Sequence, residues 1–398
     1  MSRPDATPAL PFERPGVLGL APQLTALLAD GRITRIRTLT GDPAWLVTRH
    51  EDVRALFNDD RLGRCHPDPQ RAPRVSQSTL LEAKDGIETE LADHGRMRRV
   101  LTPAFSARRM MRLRPRVEQI VDEALDAMVA AGPPADLHHG LAVPVPVLVI
   151  CELLGVPYAD RADFRRWSEQ LAHLTDRQVA LEGQRQLFAY MSRLLAHKTV
   201  EPGEDVLSDL LAALEEEKLT EEEMITFASG LLFAGHETTV GRIGYGTLLL
   251  LTNPGQYRRL GQEPDRVDAA VEEILRLSML GQTGGLPRYA AQDIDYGGVR
   301  IQAGELVLLS LEAANLDETV FAEPTAFDPG RAQNQHVSFG HGRRFCIGAT
   351  LARIELRAVF SRLVERLPDL RLAVPLSQLA VRGEIATGGL SALPVTWG

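Results

Sequence analysis

One stretch of the chain has the residue types and spacing to hold a metal cofactor: Phe339-Gly340-His341-Gly342-Arg343-Arg344-Phe345-Cys346-Ile347-Gly348. A single cysteine is framed by glycines at fixed offsets, in the pattern F-G-x-G-x-[H/R]-x-C-x-G. Glycine has no Cβ, so it accepts positive φ and lets the backbone come close to a flat ligand. Arg344, two residues before the cysteine, offers a planar fork to a carboxylate on the same ligand. These features describe a thiolate held beneath a large, planar, anionic cofactor. A haem bound through cysteine meets that description, because the thiolate pushes electron density onto iron and favours O–O cleavage. The plain alternative is a glycine-rich turn that contains a buried cysteine.

A second constellation, Ala234-Gly235-His236-Glu237-Thr238-Thr239, lies midway along the longest helix the sequence predicts. Thr220 and Glu223 have the S/T-x-x-E spacing of a capping box, which starts that helix. The apolar periodicity then runs to Asn253-Pro254, roughly 33 residues or about 50 Å at 1.5 Å per residue. His236, Glu237 and Arg242 interrupt its middle, which argues against a membrane span. Glycine, a carboxylate and a threonine are each awkward inside an apolar helix. Local rules broken together often mark function; a kinked helix with a satisfied Glu–Thr pair is the bland reading.

Cations come next. His94 and Arg98 are four residues apart and share one helical face, and Arg288 follows in Leu286-Pro287-Arg288-Tyr289. With Arg344 they form a set suited to two carboxylates, although an arginine is more often a solvated surface residue. Glu273 and Arg276 form one of several E-x-x-R pairs. They are distinguished by lying in the apolar helix 271–277, 73 residues before Cys346.

The ten residues around Cys346, the acid–alcohol pair and the ordered cations together resemble the cytochrome P450 superfamily, in its soluble bacterial branch. The resemblance covers the chain from about Trp45 onward. It implies a mainly α fold with small β-sheets, a helical prism enclosing haem b. Cys346 would be the iron ligand, with Phe339, Gly340, Gly348 and Ala234 around the haem and His94, Arg98, Arg288 and Arg344 on its propionates. Thr238 and Glu237 would manage protons as the catalytic pair. Glu273 and Arg276 would lock to an arginine downstream, here Arg331, as structural support. The substrate pocket would draw on 76–90, 231–234, 284–286 and the turn at Ile385-Ala386. The activity implied is a monooxygenase that inserts one oxygen atom from O2 into an organic substrate, by hydroxylation or epoxidation, tailoring a bacterial secondary metabolite. Its partners would be a small-molecule substrate, free or carrier-tethered, and a separate ferredoxin and ferredoxin reductase. Arg96, Arg99, Arg108, Arg109, Arg112 and Arg343 offer that donor a basic face, or are simply solvated. Three positions depart from the pattern. Leu316 stands where relatives commonly carry arginine, Glu90-Leu91-Ala92-Asp93 replaces a Pro-Pro stretch, and Arg344 replaces a frequent histidine. A peroxide-driven peroxygenase or oxidative coupling enzyme is the nearest alternative, and a non-catalytic haem sensor or carrier is one of another class.

The elements that must position these residues read as follows. Helices are expected at 24–28, 53–57, 117–129, 188–197 and 349–367, and strand-like alternation at 36–47. Residues 61–90 read as a long loop, 295–299 and 306–309 as strands, and the last thirty residues as short strands and turns. No linker divides the 398 residues, so one domain is expected over 1–398, with 1–20 flexible or extended. A net charge of −9 argues against nucleic acid or an anionic membrane as partner. Three scattered cysteines, Cys65, Cys151 and Cys346, make neither a disulfide framework nor a zinc site and suit a reducing cytoplasm. The Pro-punctuated N-terminus reads as neither signal peptide nor anchor, and the resemblance suggests a monomer.

Overall fold

The capping box at Thr220 begins the helix around which the rest of the chain is arranged. In the computed structural model, which describes residues 7–217, 219–278 and 281–398, the Thr220 hydroxyl accepts from the Glu223 N–H at 3.2 Å. The Glu223 carboxylate accepts from the Thr220 N–H at 2.8 Å. Two backbone donors are thus satisfied before the helix has made its first turn. Eight of the described helices form the scaffold, in chain order α1 (Glu90–Ala104), α2 (Ala107–Ala131), α3 (Pro144–Leu154), α4 (Arg161–Leu171), α5 (Arg177–Val200), α6 (Glu221–Thr252), α7 (Val267–Leu277) and α8 (Ala349–Arg366). The fold is mainly helical, as expected.

Packing explains why α6 carries glycines. A Cβ at Gly235 would lie 2.4 Å from Cδ1 of Ile150 on α3, and one at Gly246 would lie 2.4 Å from Phe360 on α8. Each glycine lets a neighbouring helix approach closely. Gly235 is therefore explained by packing, and only Glu237 and Thr238 remain unusual for a helix interior. Arg242, further along α6, is half-buried and donates to the carbonyls of Leu275 (3.0 Å) and Ser278 (2.8 Å), which caps the end of α7. Burial pushes that guanidinium down to about 10.

The main sheet has five strands, β1 (Thr34–Arg37), β2 (Pro43–Val47), β3 (Leu62–Gly63), β4 (Leu286–Ala290) and β5 (Leu306–Leu309). Their order is β1-β2-β5-β4-β3, with the β2–β5 pair parallel and the others antiparallel. Every residue of β5 is buried, and β4 pairs with it so that Arg288 lies opposite Val307. The expected strand over 295–299 is instead a hairpin, Ile294–Tyr296 against Val299–Ile301. Gly297 and Gly298 both have positive φ, which closes a tight turn where a continuous strand was read. In the N-terminal segment, residues 8–10 are extended and pinned to Arg37 by two backbone bonds, and Leu10 and Phe12 are buried.

The polypeptide after α7 is anchored by one buried ion pair. Arg276 donates to both carboxylate oxygens of Glu273 at 2.8 and 2.7 Å. Its remaining donors reach the carbonyls of Asn315, Pro324 and Ala326. Glu273 also accepts from Arg331 Nε (3.3 Å), the Asp328 N–H and Asn334. Leu316, where an arginine was expected, is buried in the core. The side chains of Glu273 and Arg276 are both 0 % exposed, so removing one partner strands a desolvated charge. Replacing Glu273 by Gln should cost about 3–5 kcal/mol of stability, read as the loss in urea unfolding free energy.

A second expectation concerns pH. His138 is buried, and burial, followed by the charges of His139 and Arg382, pushes it down to about 4 from an ordinary 6.5. The unfolded chain therefore takes up this proton first. Stability contributed by His138 is complete above about pH 6.5 and is lost as pH falls toward about 4. Across that window the parent should lose up to about 1.4 kcal/mol more per pH unit than His138→Asn, measured by urea unfolding at each pH.

Candidate functional site

Cys346 closes a tight loop immediately before α8. Its N–H donates to the Phe339 carbonyl at 2.8 Å, and the turn Gly342–Arg344 lies between them. Gly340 and Gly342 have φ of +71° and +65°, so the reading of glycines by positive φ applies to both. At Gly342 a Cβ would also overlap Oδ1 of Asn58. Gly348 differs. Its φ is −83°, and a Cβ there would sit 4.0 Å from the Cys346 sulfur, an ordinary contact, so neither backbone conformation nor space requires glycine at this position.

Cys65 and Cys151 are buried, whereas Cys346 is exposed. Burial pushes the first two thiols up to about 12. The recess around Cys346 also raises its thiol, while the Gly348 N–H and the charges of Arg98 and Arg353 act in the opposite direction. Arg353 is held from behind: it donates to both oxygens of Glu272 at 2.6 and 2.8 Å and lies 4.6 Å over the Phe339 ring. His336 joins the same carboxylate at 3.0 Å. Burial works against ionisation of Glu272, but Arg353 and His336 outweigh it and hold the carboxyl down at about 2. Thiol, Phe339 ring and supporting cations thus form a single braced unit.

The expected clamp is a cluster of positive charge. His94 and Arg98 lie on α1, and Arg98 donates to the Phe345 carbonyl at 3.0 Å, tying α1 to the cysteine loop. Arg288 projects from β4, buried, with its guanidinium 5.4 Å from the Phe57 ring and donating to the Pro287 carbonyl. Among the described residues no carboxylate pairs with it. Burial, then the charges of Arg64 and Arg344, push it down to about 9. Burial, then Arg344 and Arg98, likewise push His94 down to about 4. Arg344 does have a partner, Glu90 at the start of α1, at 2.6 Å. Glu90 also accepts from the N–H groups of Arg64 (2.7 Å) and Cys65 (2.9 Å).

Five basic groups, Arg64, His94, Arg98, Arg288 and Arg344, therefore act on one another with Glu90 as the acid among them. An arginine cannot shed its proton to escape such a site. The cluster suits a ligand that brings its own carboxylates, as the two propionates of a haem would. The exposed thiol suits the iron of that ligand. Sequence reading named four of these cations but missed Arg64 and Glu90. Glu90 lay within the stretch recorded only as a departure, and its spacing to Arg344 gave no signal.

The acid–alcohol pair is present on α6 but not bonded to itself. Ala234 and Thr238 are exposed on one face of an otherwise buried stretch, one turn apart. The Thr238 hydroxyl donates to the Ala234 carbonyl at 3.0 Å. Glu237 is buried and turned elsewhere: Thr387 donates to its Oε2 at 3.3 Å, and His236 Nε2 lies 3.4 Å from Oε1. Burial pushes the Glu237 carboxyl up, but His236, Arg382 and the Thr387 hydroxyl together bring it below its ordinary value. Neither Thr387 nor Arg382 was expected, since both come from the far C-terminal segment.

Two of the segments expected around the substrate, 76–90 and the Ile385-Ala386 turn, meet by backbone bonds through the α4–α5 connection, which was not among them. The Gln77 N–H donates to Leu174 O, the Leu174 N–H to Glu384 O, and the Ala386 N–H to Ala172 O, at 2.8, 2.8 and 2.9 Å. Ser78 Oγ reaches the Leu171 carbonyl at 2.6 Å, and Arg177 pairs with Glu82 across the same seam. The loop after β3, the α4–α5 connection and the C-terminal turn thereby form a common wall. The basic face is less uniform than expected, because Arg96 pairs with Glu223, Arg109 with Asp209 and Arg343 with Asp60.

Comparison with known proteins agrees with this geometry. The family model described as Cytochrome P450 matches residues 192–368. The chain is 43% identical to pentalenolactone synthase of Streptomyces exfoliatus, covering 98% of this chain and 99% of that one. It is 40% identical to mycinamicin IV hydroxylase/epoxidase of Micromonospora griseorubida, with 98% of each covered. Among solved structures, substrate-free PimD, a pimaricin epoxidase, superposes with a TM-score of 0.87 at 43% identity, covering 98% of this chain and 99% of that chain.

The charge imbalance has a measurable consequence. Arg288→Met should leave the cofactor-free protein as stable as the parent or more stable, by on the order of 1–3 kcal/mol in urea unfolding, because it removes an uncompensated buried charge. The same substitution should speed loss of haem to an acceptor protein by about tenfold or more, equivalent to about 1.4 kcal/mol.

Proposed function

The chain belongs to the cytochrome P450 family, and on that premise we propose how its own residues carry the reaction. It is a haem-thiolate monooxygenase that inserts one oxygen atom from O2 into a small-molecule organic substrate, by hydroxylation or epoxidation. Like its relatives, it tailors a bacterial secondary metabolite. The single observation that carries the residue assignment is the exposed Cys346 thiol beside an arginine cluster short of anions.

Haem b is the cofactor we assign, and when bound it supplies an iron whose thiolate ligand favours O–O cleavage. Cys346 is its ligand, and Gly348 lies beside the sulfur. Arg288, Arg344, His94 and Arg98 hold the propionates, with Arg288 the member that most needs one. Phe339 and Gly340 shape the cysteine loop, and Ala234 presents the small, exposed face of α6 to the haem. Thr238 and Glu237 are the catalytic pair. The Thr238 hydroxyl, now on the Ala234 carbonyl, would receive a proton from the Glu237 side and hold it where the oxygen is reduced. Glu237 must first swing from Thr387 toward that hydroxyl, which makes it a shuttle between the C-terminal segment and the cavity.

The electron donor we assign is a separate ferredoxin with its reductase. Its docking face would rest on Arg108 and Arg112, because several other arginines there are neutralised by acids. The substrate is either free or presented on a carrier. No helix among the described residues is long and apolar enough to cross a membrane, and we assign a cytoplasmic monomer without nucleic-acid partners.

The reduced, haem-loaded protein should give a strongly red-shifted Soret band on binding carbon monoxide, and Cys346→Ser should abolish that band. A well-folded, haem-loaded parent with a band typical of histidine ligation would overturn the assignment of Cys346.

A further inference from the structure

His236 is fully buried and has no place in the scheme above. Its Nδ1 lies 2.6 Å from the Leu232 carbonyl one turn back. A carbonyl can only accept, so Nδ1 carries a hydrogen. The ring packs edge-on against Phe164 of α4 at 5.6 Å and Phe233 at 6.5 Å, which leaves no solvent contact. Its other nitrogen, Nε2, is buried, has no hydrogen-bond partner, and lies 3.4 Å from Oε1 of Glu237. Thr387 serves the opposite carboxylate oxygen, Oε2.

With the carboxylate ionised and Nε2 bare, two acceptor lone pairs would face each other in a dry space, at a cost in free energy. One proton between them removes that cost, whichever atom holds it. We infer that His236 and Glu237 share one proton at rest, and that His236 is the positioning residue that keeps the acid supplied. The shared proton passes from Nε2 to the Glu237 carboxylate and leaves from there toward Thr238, so the carboxylate is ionised again. The imidazole keeps its Nδ1–H on Leu232 and becomes neutral. One proton from solvent, entering on the Thr387 side, restores the pair, so each turn of the relay consumes one external proton and leaves no net charge behind. The other charged group facing the pair is Arg382, which is itself held by Glu169 of α4. Phe164 and Phe233 contribute no titrating group.

This inference rests on the reading of Glu237 as the proton-handling acid, and the two can fail separately. The direct test counts protons in the reduced carbon monoxide complex of the holoenzyme, which is diamagnetic. Nitrogen-15 NMR of the histidines, with His236 assigned through H236Q, reports whether Nε2 is protonated. The infrared carboxyl band lost in E237Q reports the acid. One proton in total on the pair at pH 7 is expected, with Nε2 becoming bare in E237Q if it held the proton. A bare Nε2 together with an ionised carboxylate would overturn the proposal, and this reading needs the folded parent and E237Q, with H236Q used for assignment.

Turnover gives a second reading. H236Q, which can donate to Glu237 but cannot titrate, should lower product formed per NADPH consumed at least about fivefold. It should leave KM unchanged and raise the solvent isotope effect on kcat, a pattern that loss of packing alone would not produce. Unchanged coupling and isotope effect in H236Q would also overturn it. Unchanged turnover in E237Q, with one proton still counted on the pair, would sink the role of Glu237 instead.

Discussion

An arginine drawn wholly or partly out of water cannot escape its charge, and this structure depends on how three such charges are resolved. Arg276 meets Glu273 in a bidentate pair and spends its remaining donors on three carbonyls. Arg242 pairs with no acid among the described residues and instead satisfies the carbonyls at the end of α7, where the helix dipole favours positive charge. Arg288 is given only its neighbour's carbonyl and an aromatic ring. The first two arrangements complete themselves within the chain. The third is completed only by an anion from outside, and that asymmetry separates the scaffold from the site.

The scaffold holds the site through few elements. Helix α7 supplies Glu272 and Glu273, adjacent residues that brace opposite things. Glu273 anchors the segment that leads to the cysteine loop, and Glu272 holds Arg353 and His336 behind Phe339. Helix α1 delivers Glu90, His94 and Arg98 on successive turns to one charge cluster, and Arg98 ties it directly to the loop at Phe345. Strand β4 brings Arg288 from a position fixed by pairing with the fully buried β5. Three independent elements thus converge on the cysteine loop and the charge cluster beside it. Each is fixed by its own burial or pairing, so the geometry does not depend on the ligand to assemble it.

The legible parts of this chain in sequence were those whose parts are close together. The cysteine loop, the capping box and the E-x-x-R pair are each encoded within ten residues, and each is found in place. The meaning of Gly235 was misread because its reason, Ile150, is 85 residues away on another helix. The strand expected over 295–299 failed because two successive glycines permit a turn that apolar alternation conceals. Glu90, Arg64, Thr387 and Arg382 were missed for one reason: their partners are assigned by folding, and a lone charged or hydroxyl residue carries no local signature.

The C-terminal segment deserves the last step of the argument, because it joins two tasks that the sequence separates. Residues 384 and 386 bond to the α4–α5 connection, which also holds Gln77 of the loop after β3, so the three segments form one wall. The next residue, Thr387, bonds Glu237, and Arg382 a few positions earlier pairs with Glu169 on α4. A shift of the wall outward would therefore carry Thr387 and Arg382 with it, since the six residues 382–387 are tied to the α4–α5 connection by backbone bonds at 384 and 386. The Glu237 carboxylate would then lose a hydroxyl donor and a nearby positive charge at once, and both losses favour its protonated form. Any displacement of this short stretch of backbone would therefore act on the wall and on the Glu237 carboxylate together.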